Sequence, residues 1–383
     1  MPKRFFLPTQ LIHGAGALKE LGKFVSKDDN VIVVTDKGLV KVGLVEKLLA
    51  ELATIGATWA VFDDIEPNPH ADTVRKALAF AKEQGVNTVV TIGGGSPMDV
   101  AKVVAMLLTN EGDISDYQWN GKAVTKPPAT LVAIPTTAGT GSEVTRTAVI
   151  IDRNTKKGIG NDALFPKAAL VDPELMVSLP PQITAFTGMD ALTHAIEAYV
   201  GLGANPATDA WALQAIELLV EYLPKAFANG ADLEAREKVA LASSMAGAAM
   251  DQAGLGFIHA MSGPLSSYYD VPHGLSNAVL LPYGMQFNLI AAPKKMARIA
   301  QLFGVDTFGM SLREAAQAAV DAVEQLCRDL EIPADLSSYC QAEEDIEKFA
   351  VEAINMFLMR NNPRRPRVSD CADVFRKVLL PEK

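Results

Sequence analysis

The sequence predicts an α/β amino-terminal half built on a mostly parallel sheet, followed by an all-helical carboxy-terminal half. Three observations carry this prediction. Short β-branched runs alternate with amphipathic stretches up to about residue 180. Beyond LPPQ (179–182) the β-branched runs stop and helical spacing continues to the end. Two turns rich in glycine and hydroxyls each follow a strand-like run of the first half. Strands separated by helices pair in parallel and need cover on both faces. A chain of 383 residues also suits two domains. The expected division is a dinucleotide-binding domain over 1–180 and a helical domain over 181–383.

In order, FFLPTQLIHG (5–14) supplies an edge strand. The runs at 31–36 (VIVVTD), 58–65 (TWAVFDDI), 87–95 (NTVVTIGGG), 129–137 (ATLVAIPTT), 146–152 (RTAVIID) and 167–173 (KAALVDP) supply further strands. Between them, 73–84 carries Val74, Leu78 and Ala81 on one face, with Arg75, Lys76 and Lys82 elsewhere. This alternation is Rossmann-like. Pro180 and Pro181 continue neither a helix nor a ladder and mark a hinge. Helices are then expected over 184–200, 207–225, 233–250 and 272–288. In the second of these Leu213, Ile216, Val220 and Leu223 form the apolar stripe, with Glu217 and Glu221 outside it.

The net charge is −10, which lacks the basic footprint of a nucleic-acid binder. The apolar stretch 103–108 is far short of the roughly 20 residues that span a bilayer. Pro8, Thr9 and Gln10 interrupt the apolar start Phe5-Phe6-Leu7, so no signal core is expected. The three cysteines, Cys327, Cys340 and Cys371, are widely spaced and form no CxxC. Sparse thiols fit a reducing, cytoplasmic setting.

GGGSPMD (93–99) follows a strand and opens a helix. Gly93, Gly94 and Gly95 leave amide groups bare, Ser96 suits an N-cap and Pro97 the first turn, so the helix start can face a phosphate. The same residues also make an ordinary tight β–α turn. PTTAGTGSE (135–143) offers Thr136, Thr137 and Thr140 beside Gly139 and Gly141. Two such loops in one α/β domain favour a nucleotide crevice at the carboxyl ends of the strands. Asp36 ends the first interior strand. It either accepts from a ribose 2′-hydroxyl, which favours NAD over NADP, or simply opens the Asp36-Lys37-Gly38 turn.

Of the five histidines, His13 and His70 sit in polar loops. Asp190 and His194 stand four residues apart and so share a helix face. His259 lies in GFIHAMSG, and His273 follows Pro272 at a helix start. A carboxylate with three imidazoles suits Fe(II), Zn(II), Co(II) or Ni(II) better than Mg or Ca. The Asp190/His194 pair reads equally as a plain ion pair, since no HxH or HExxH motif is present.

Together these stretches resemble the iron-containing (group III) alcohol dehydrogenase family. The matching segments are GGGSPMDVAK (93–102), AIPTTAGTGSEVT (133–145), TGMDALTHAIEAY (187–199), GLGFIHAMSG (254–263) and VPHGLSNAVLLPY (271–283). The resemblance implies the dehydroquinate synthase-like, iron alcohol dehydrogenase fold, with a cleft between its two domains. It implies hydride transfer between a primary alcohol, diol or hydroxy acid and NAD. It implies Fe(II), or Zn(II), held by Asp190, His194, His259 and His273. It sets NAD against Gly94, Gly95, Ser96, Asp99, Thr136, Thr137 and Thr140, with Asp36 and Asn68 on the adenosine side. Lys157 and Leu179 are further cofactor contacts, and Met250 and Gly263 would line the substrate pocket. The family's frequent dimers imply a homodimer or larger homo-oligomer.

One departure stands out. Members commonly carry a further His four residues after the third ligand, where this chain has Gly263. The change removes a candidate acid/base and is expected to open space beside the reacting carbon. A proton route through water, a ribose hydroxyl or a catalytic His273 then remains open. Two other functions stay in view. One is an NAD- and metal-dependent cyclase resembling dehydroquinate synthase, and the other is a non-catalytic nucleotide- or metal-binding subunit.

Overall fold

A computed structural model describes residues 3–118, 121–152, 155–339 and 343–381 of the protein. The side chains of 155–157, Lys157 among them, and Cys340 lie outside the described residues. The chain forms two compact units. Leu7–Ser178 make one, and the chain from Leu179 onward makes the other together with the first six residues.

The first unit holds β1 (Gln10–His13), β2 (Asn30–Val34), β3 (Thr58–Phe62), β4 (Thr88–Gly93), β5 (Thr130–Pro135), β6 (Thr147–Asp152), β7 (Thr155–Gly160) and β8 (Ala168–Val171). Six of these form one sheet in the order β1-β8-β5-β4-β2-β3, every neighbouring pair parallel. Burial follows position. All six residues of the inner strand β4 are buried, whereas β3 at the edge stays partly exposed. Successive residues feed opposite faces, as the pleat requires. Ile32, Val34 and Val89 join one apolar cluster with residues of α3 (Ala71–Glu83) and α4 (Gly95–Thr109), while Val31, Val33 and Val90 join another with residues of α2 (Leu44–Ile55). Short helices α1 (Lys37–Lys41) and α5 (Ile114–Tyr117) complete the unit.

The expected strand at 146–152 forms, but apart from the main sheet. It is β6, paired antiparallel with β7. Its exposure alternates along the first residues, as in a ribbon covered on one side. The partner, TKKGIG, carries too little β-branched character to be read from its composition.

The second unit is helical: α6 (Pro181–Val200), α7 (Pro206–Ala228), α8 (Leu233–Ala253), α9 (Phe257–Tyr268), α10 (His273–Asn288), α11 (Pro293–Leu302), α12 (Leu312–Asp329), α13 (Ile346–Asn355) and α14 (Val368–Leu379). Pro181 opens α6 at a position where a missing N–H costs nothing. Every residue of α6 from Gly188 to Val200 is buried, and the helix packs against α7, α8 and α10. An all-round buried helix is the place where polar residues need a specific partner. Among the described residues, no helix is long and apolar enough to cross a membrane.

Candidate active site

At the end of β4 the backbone passes Gly93, Gly94 and Gly95 into α4. A Cβ on Gly93 would come within 2.7 Å of Pro97 Cγ, and one on Gly95 within 3.0 Å of Thr140 Cγ2. A Cβ on Gly94 would meet Thr137 Oγ1 at 3.4 Å. The bare turn is therefore pressed against the Thr137 and Thr140 side chains. The Thr136 N–H donates to the Gly93 carbonyl at 3.0 Å. The sequence-expected residues Gly94, Gly95, Thr136, Thr137 and Thr140 thus gather at the carboxyl ends of the neighbouring strands β4 and β5. Ser96 is not the N-cap. The helix opens earlier, with Gly94 at that position and no side chain capping it. The N-terminus of α4 consequently keeps backbone donors for an anion.

Asp99 is turned into the protein. Its carboxylate accepts from Ser142 Oγ and from the Val149 N–H, each at 2.8 Å, and burial pushes its carboxyl upward against the nearby Lys102. Lys102, fully buried, donates to Ser142 Oγ (2.8 Å), Thr145 Oγ1 (2.9 Å) and the Thr147 carbonyl (2.8 Å). This network ties α4 to the second glycine loop and to β6. Asp36 caps α1, with Oδ1 accepting from the Leu39 N–H at 3.1 Å. Asn68 takes a left-handed backbone conformation, φ 53°, which asparagine tolerates better than most residues. Leu179 falls in the helical unit, where its carbonyl accepts from Arg236 at 3.1 Å.

The polar residues of the second unit converge. Asp190 and His194 sit one turn apart on α6, His259 is in the first turn of α9, and His273 is the first residue of α10. From Asp190 Oδ1 to Nε2 is 3.9 Å for His194, 3.6 Å for His259 and 3.8 Å for His273. Asp190, His259 and His273 each offer a ligand atom within 4.8 Å of the other two. The His194 and His259 rings stack with centroids 4.6 Å apart. Asp190, His194 and His259 are buried, whereas the His273 side chain is 42% exposed and gives the cluster an open side.

Two further residues take part that the sequence reading does not select. Glu197, three residues after His194 and itself buried, lies 2.6 Å from His259 Nδ1. It also accepts from the Ile258 N–H at 2.7 Å. A carboxylate on Nδ1 fixes the proton there and leaves the Nε2 lone pair for a cation. Its signal in the sequence is weak: an acidic residue on the otherwise apolar helix expected over 184–200. Asn277, one turn after His273, places Nδ2 2.7 Å from Asp190 Oδ1, 3.0 Å from His259 Nε2 and 3.2 Å from His273 Nε2.

The electrostatics favour positive charge. Burial alone would raise the Asp190 carboxyl, but the His194, His273 and His259 imidazoles outweigh it and hold it well below the usual carboxylate range. Burial alone would lower His259. Its bonds with Asp190 and Glu197 win, and it is pushed up to about 9. One carboxylate and three imidazoles, with one imidazole already oriented from behind, are the donor set of an Fe(II) or Zn(II) site. Asn277 Oδ1 adds a buried polar atom without a hydrogen-bond partner among the described residues. The residues fit a divalent metal.

Met250 stands near the end of α8 and Gly263 on α9, one turn beyond His259. The expected opening at Gly263 does not occur. A Cβ there would come within 2.9 Å of Met356 Sδ and 3.1 Å of its Cε, so a thioether from the turn after α13 fills the space.

Comparison with known proteins identifies the family. The family model described as iron-containing alcohol dehydrogenase matches residues 8–173, and that for the C-terminal part of the Fe-containing alcohol dehydrogenase family matches 184–379. An NAD-dependent methanol dehydrogenase of Bacillus methanolicus is 41% identical over 379 residues, 98% of this chain and 99% of its own. A 1,3-propanediol dehydrogenase of Klebsiella pneumoniae is 41% identical over 380 residues, 97% and 98% of the two chains. The crystal structure of a 1,3-propanediol oxidoreductase superposes with a TM-score of 0.95 at 40% identity, covering 99% of this chain and 100% of its own. The chain belongs to the iron-containing alcohol dehydrogenase family.

Proposed function

We propose that this protein interconverts a primary alcohol, diol or hydroxy acid and its aldehyde with NAD, at a divalent metal held by Asp190, His194, His259 and His273. The observation that carries the reading is the convergence of three imidazoles within 3.9 Å of one buried carboxylate oxygen. When bound, the metal would supply Lewis acidity toward an alcohol oxygen and the nicotinamide would supply the hydride acceptor. The chain's own residues supply the placement. Glu197 holds His259 with Nε2 facing Asp190. The uncapped start of α4, with Gly94, Gly95 and Ser96, offers backbone donors to the cofactor pyrophosphate, and Thr136, Thr137 and Thr140 offer hydroxyls beside it. Asp36 retains an oxygen for a ribose hydroxyl. Asp99 acts through Ser142 and Val149, keeping the second loop against the first. With Met356 over Gly263, that wall is apolar and donates no proton. Half-exposed His273 is then the titratable side chain of the cluster nearest solvent.

The relatives named above are dehydrogenases, which favours this reading over a cyclase or a non-catalytic subunit. The same reading has the protein in the cytoplasm as a homodimer or larger homo-oligomer. Strand β1 stands at one end of the sheet order, the kind of position at which two copies of a chain can meet. The test is anaerobic assay of iron-loaded protein with NAD and NADP over alcohols and aldehydes, following NADH absorbance. Net NADH formation with a primary alcohol is expected. NAD returned unchanged, or no turnover on any member of the set with metal bound, contradicts it.

A further inference from the structure

Helix α9 carries His259 in its first turn yet lacks a local cap, because Gly256 stands at the N-cap position with no side chain to offer. The first N–H groups of a helix have no intrahelical partners and must find others. Here they find two side chains remote in sequence. The Ile258 and His259 N–H groups donate to the Glu197 carboxylate at 2.7 and 3.4 Å. The Phe257 N–H donates to Asn362 Oδ1 at 3.2 Å. Asn362 is only 2% exposed, and both ends of its amide are engaged. Oδ1 also accepts from Asn288 Nδ2 at 2.9 Å, while Nδ2 donates to Asn288 Oδ1 at 2.8 Å and to the Arg364 carbonyl at 2.6 Å. A backbone N–H at one end and a backbone carbonyl at the other fix which way this amide faces. Gly256 makes the approach possible, since a Cβ there would stand 2.9 Å from Asn362 Oδ1.

The neighbouring Asn361 serves a second pair of segments. Its Oδ1 accepts from the Gly203 N–H at 2.7 Å, and its Nδ2 donates to the Leu255 carbonyl at 3.1 Å. Its own carbonyl accepts from the Leu202 N–H at 2.9 Å. The segment just after α6 is thereby joined to the turn between α8 and α9. Pro363 follows and restricts Asn362 to extended backbone, which it adopts at φ −65° and ψ 135°. Asn288 is the last residue of α10. Two adjacent amides therefore tie together the end of α6, the start of α9 and the end of α10. These are the three helices on which Asp190, His194, His259 and His273 stand. We propose that Asn361 and Asn362 are positioning residues of the metal site. Asn362 supplies the cap that α9 lacks, and with Asn361 it sets the first turn of α9, and so His259, against α6 and α10. They act through the backbone of α9. This rests on the metal-site reading of the preceding section.

The test strips the full-length protein with a chelator and compares Asn362→Ala, Asn288→Ala and Ser311→Ala with wild type. Three quantities are read: the melting temperature of the metal-free protein, Zn(II) affinity by competition with a chromophoric chelator, and the visible spectrum of the Co(II)-loaded protein. Asn362→Ala should weaken Zn(II) binding by about tenfold, the lower end of the scale for residues that support a metal ligand, and should shift the Co(II) bands as His259 moves. Asn288→Ala keeps the bond from the Phe257 N–H and removes only the support behind it, so it should move both readings the same way by less. Ser311 caps α12 in a capping box. Its loss should lower the melting temperature and leave Zn(II) affinity and the Co(II) spectrum at the wild-type values. A purely structural role for Asn362 would give the pattern of Ser311→Ala. An Asn362→Ala protein that melts lower yet binds Zn(II) as tightly as wild type, with the same Co(II) spectrum, therefore overturns the proposal. Should Asn362→Ala fail to fold, Asn288→Ala decides: Zn(II) affinity and Co(II) spectrum equal to wild type overturn the proposal there too. Failure of the wild type to bind any ion overturns instead the metal-site reading beneath it.

Discussion

At the β4–α4 turn the useful groups are backbone N–H donors, and side chains are kept away from them by glycine. On α6, α9 and α10 the useful groups are side chains, and the backbone serves as their scaffold. The first region is governed by steric approach. The second is governed by charge in a dry environment, where a carboxylate and imidazoles hold one another in ionised or oriented form. A substitution that adds volume should harm the first and spare the second. A substitution that removes charge should do the reverse.

The strongest break in that contrast is His259→Ala, with His273→Ala beside it. Each should lose bound metal and lower turnover by about a thousandfold, the several kcal/mol that a Lewis-acid metal supplies, while NAD binding persists. Metal content by elemental analysis and NADH production measure both. Metal retained in full in both variants contradicts the ligand assignment. Next comes Glu197→Gln, which keeps shape but removes the charge behind His259. Metal affinity should fall by about 10–100-fold with little change in cofactor affinity, measured by chelator competition and by fluorescence titration with NADH. The complementary change is Gly95→Val. Its branched side chain meets Thr140, where even a Cβ stands 3.0 Å from Cγ2. Overpacking of about 1–3 kcal/mol should weaken NADH binding while metal content stays at the wild-type level.

These two regions differ in how far the sequence reveals them. The glycine turn is legible because local chemistry makes it: three glycines between a strand run and a helix run leave few other structures. The start of the helix is not, since Ser96 is the better cap in isolation and yet Gly94 takes the position. Packing against Thr137 and Thr140, remote in sequence, sets the turn. The metal candidates are legible as residue types, and the resemblance ties them together, because their convergence depends on how three helices pack. Glu197 and Asn277 escape a sequence reading for the same reason. Each acts across helices, on a partner 62 and 87 residues away respectively. The opening expected at Gly263 fails because Met356, far along the chain, occupies it. Strand β7 is hidden because pairing with β6 supplies what its own sequence lacks.

The smallest effect concerns a surface feature that belongs to neither region and serves as a control. Asp113 caps α5, and the Arg75 guanidinium bonded to it holds its carboxyl well below the ordinary range. A depressed carboxyl adds stability above the unfolded value, about 3.9, and that stability is lost as pH falls through the folded value. Asp113→Asn should cost under about 1 kcal/mol at pH 7, because the pair is exposed to solvent. In urea melts the gap should narrow below pH 4, with metal and cofactor binding unmoved. A larger loss, or one that grows in acid, contradicts the assignment of this pair to the surface.

The central claim is that one carboxylate and three imidazoles share a single divalent ion. Anomalous diffraction at the iron edge from iron-loaded crystals tests it most directly. The account predicts one peak about 2.0–2.2 Å from an Asp190 oxygen and from a ring nitrogen of His194, His259 and His273. A peak elsewhere, or one that any of these four residues fails to reach, would contradict it.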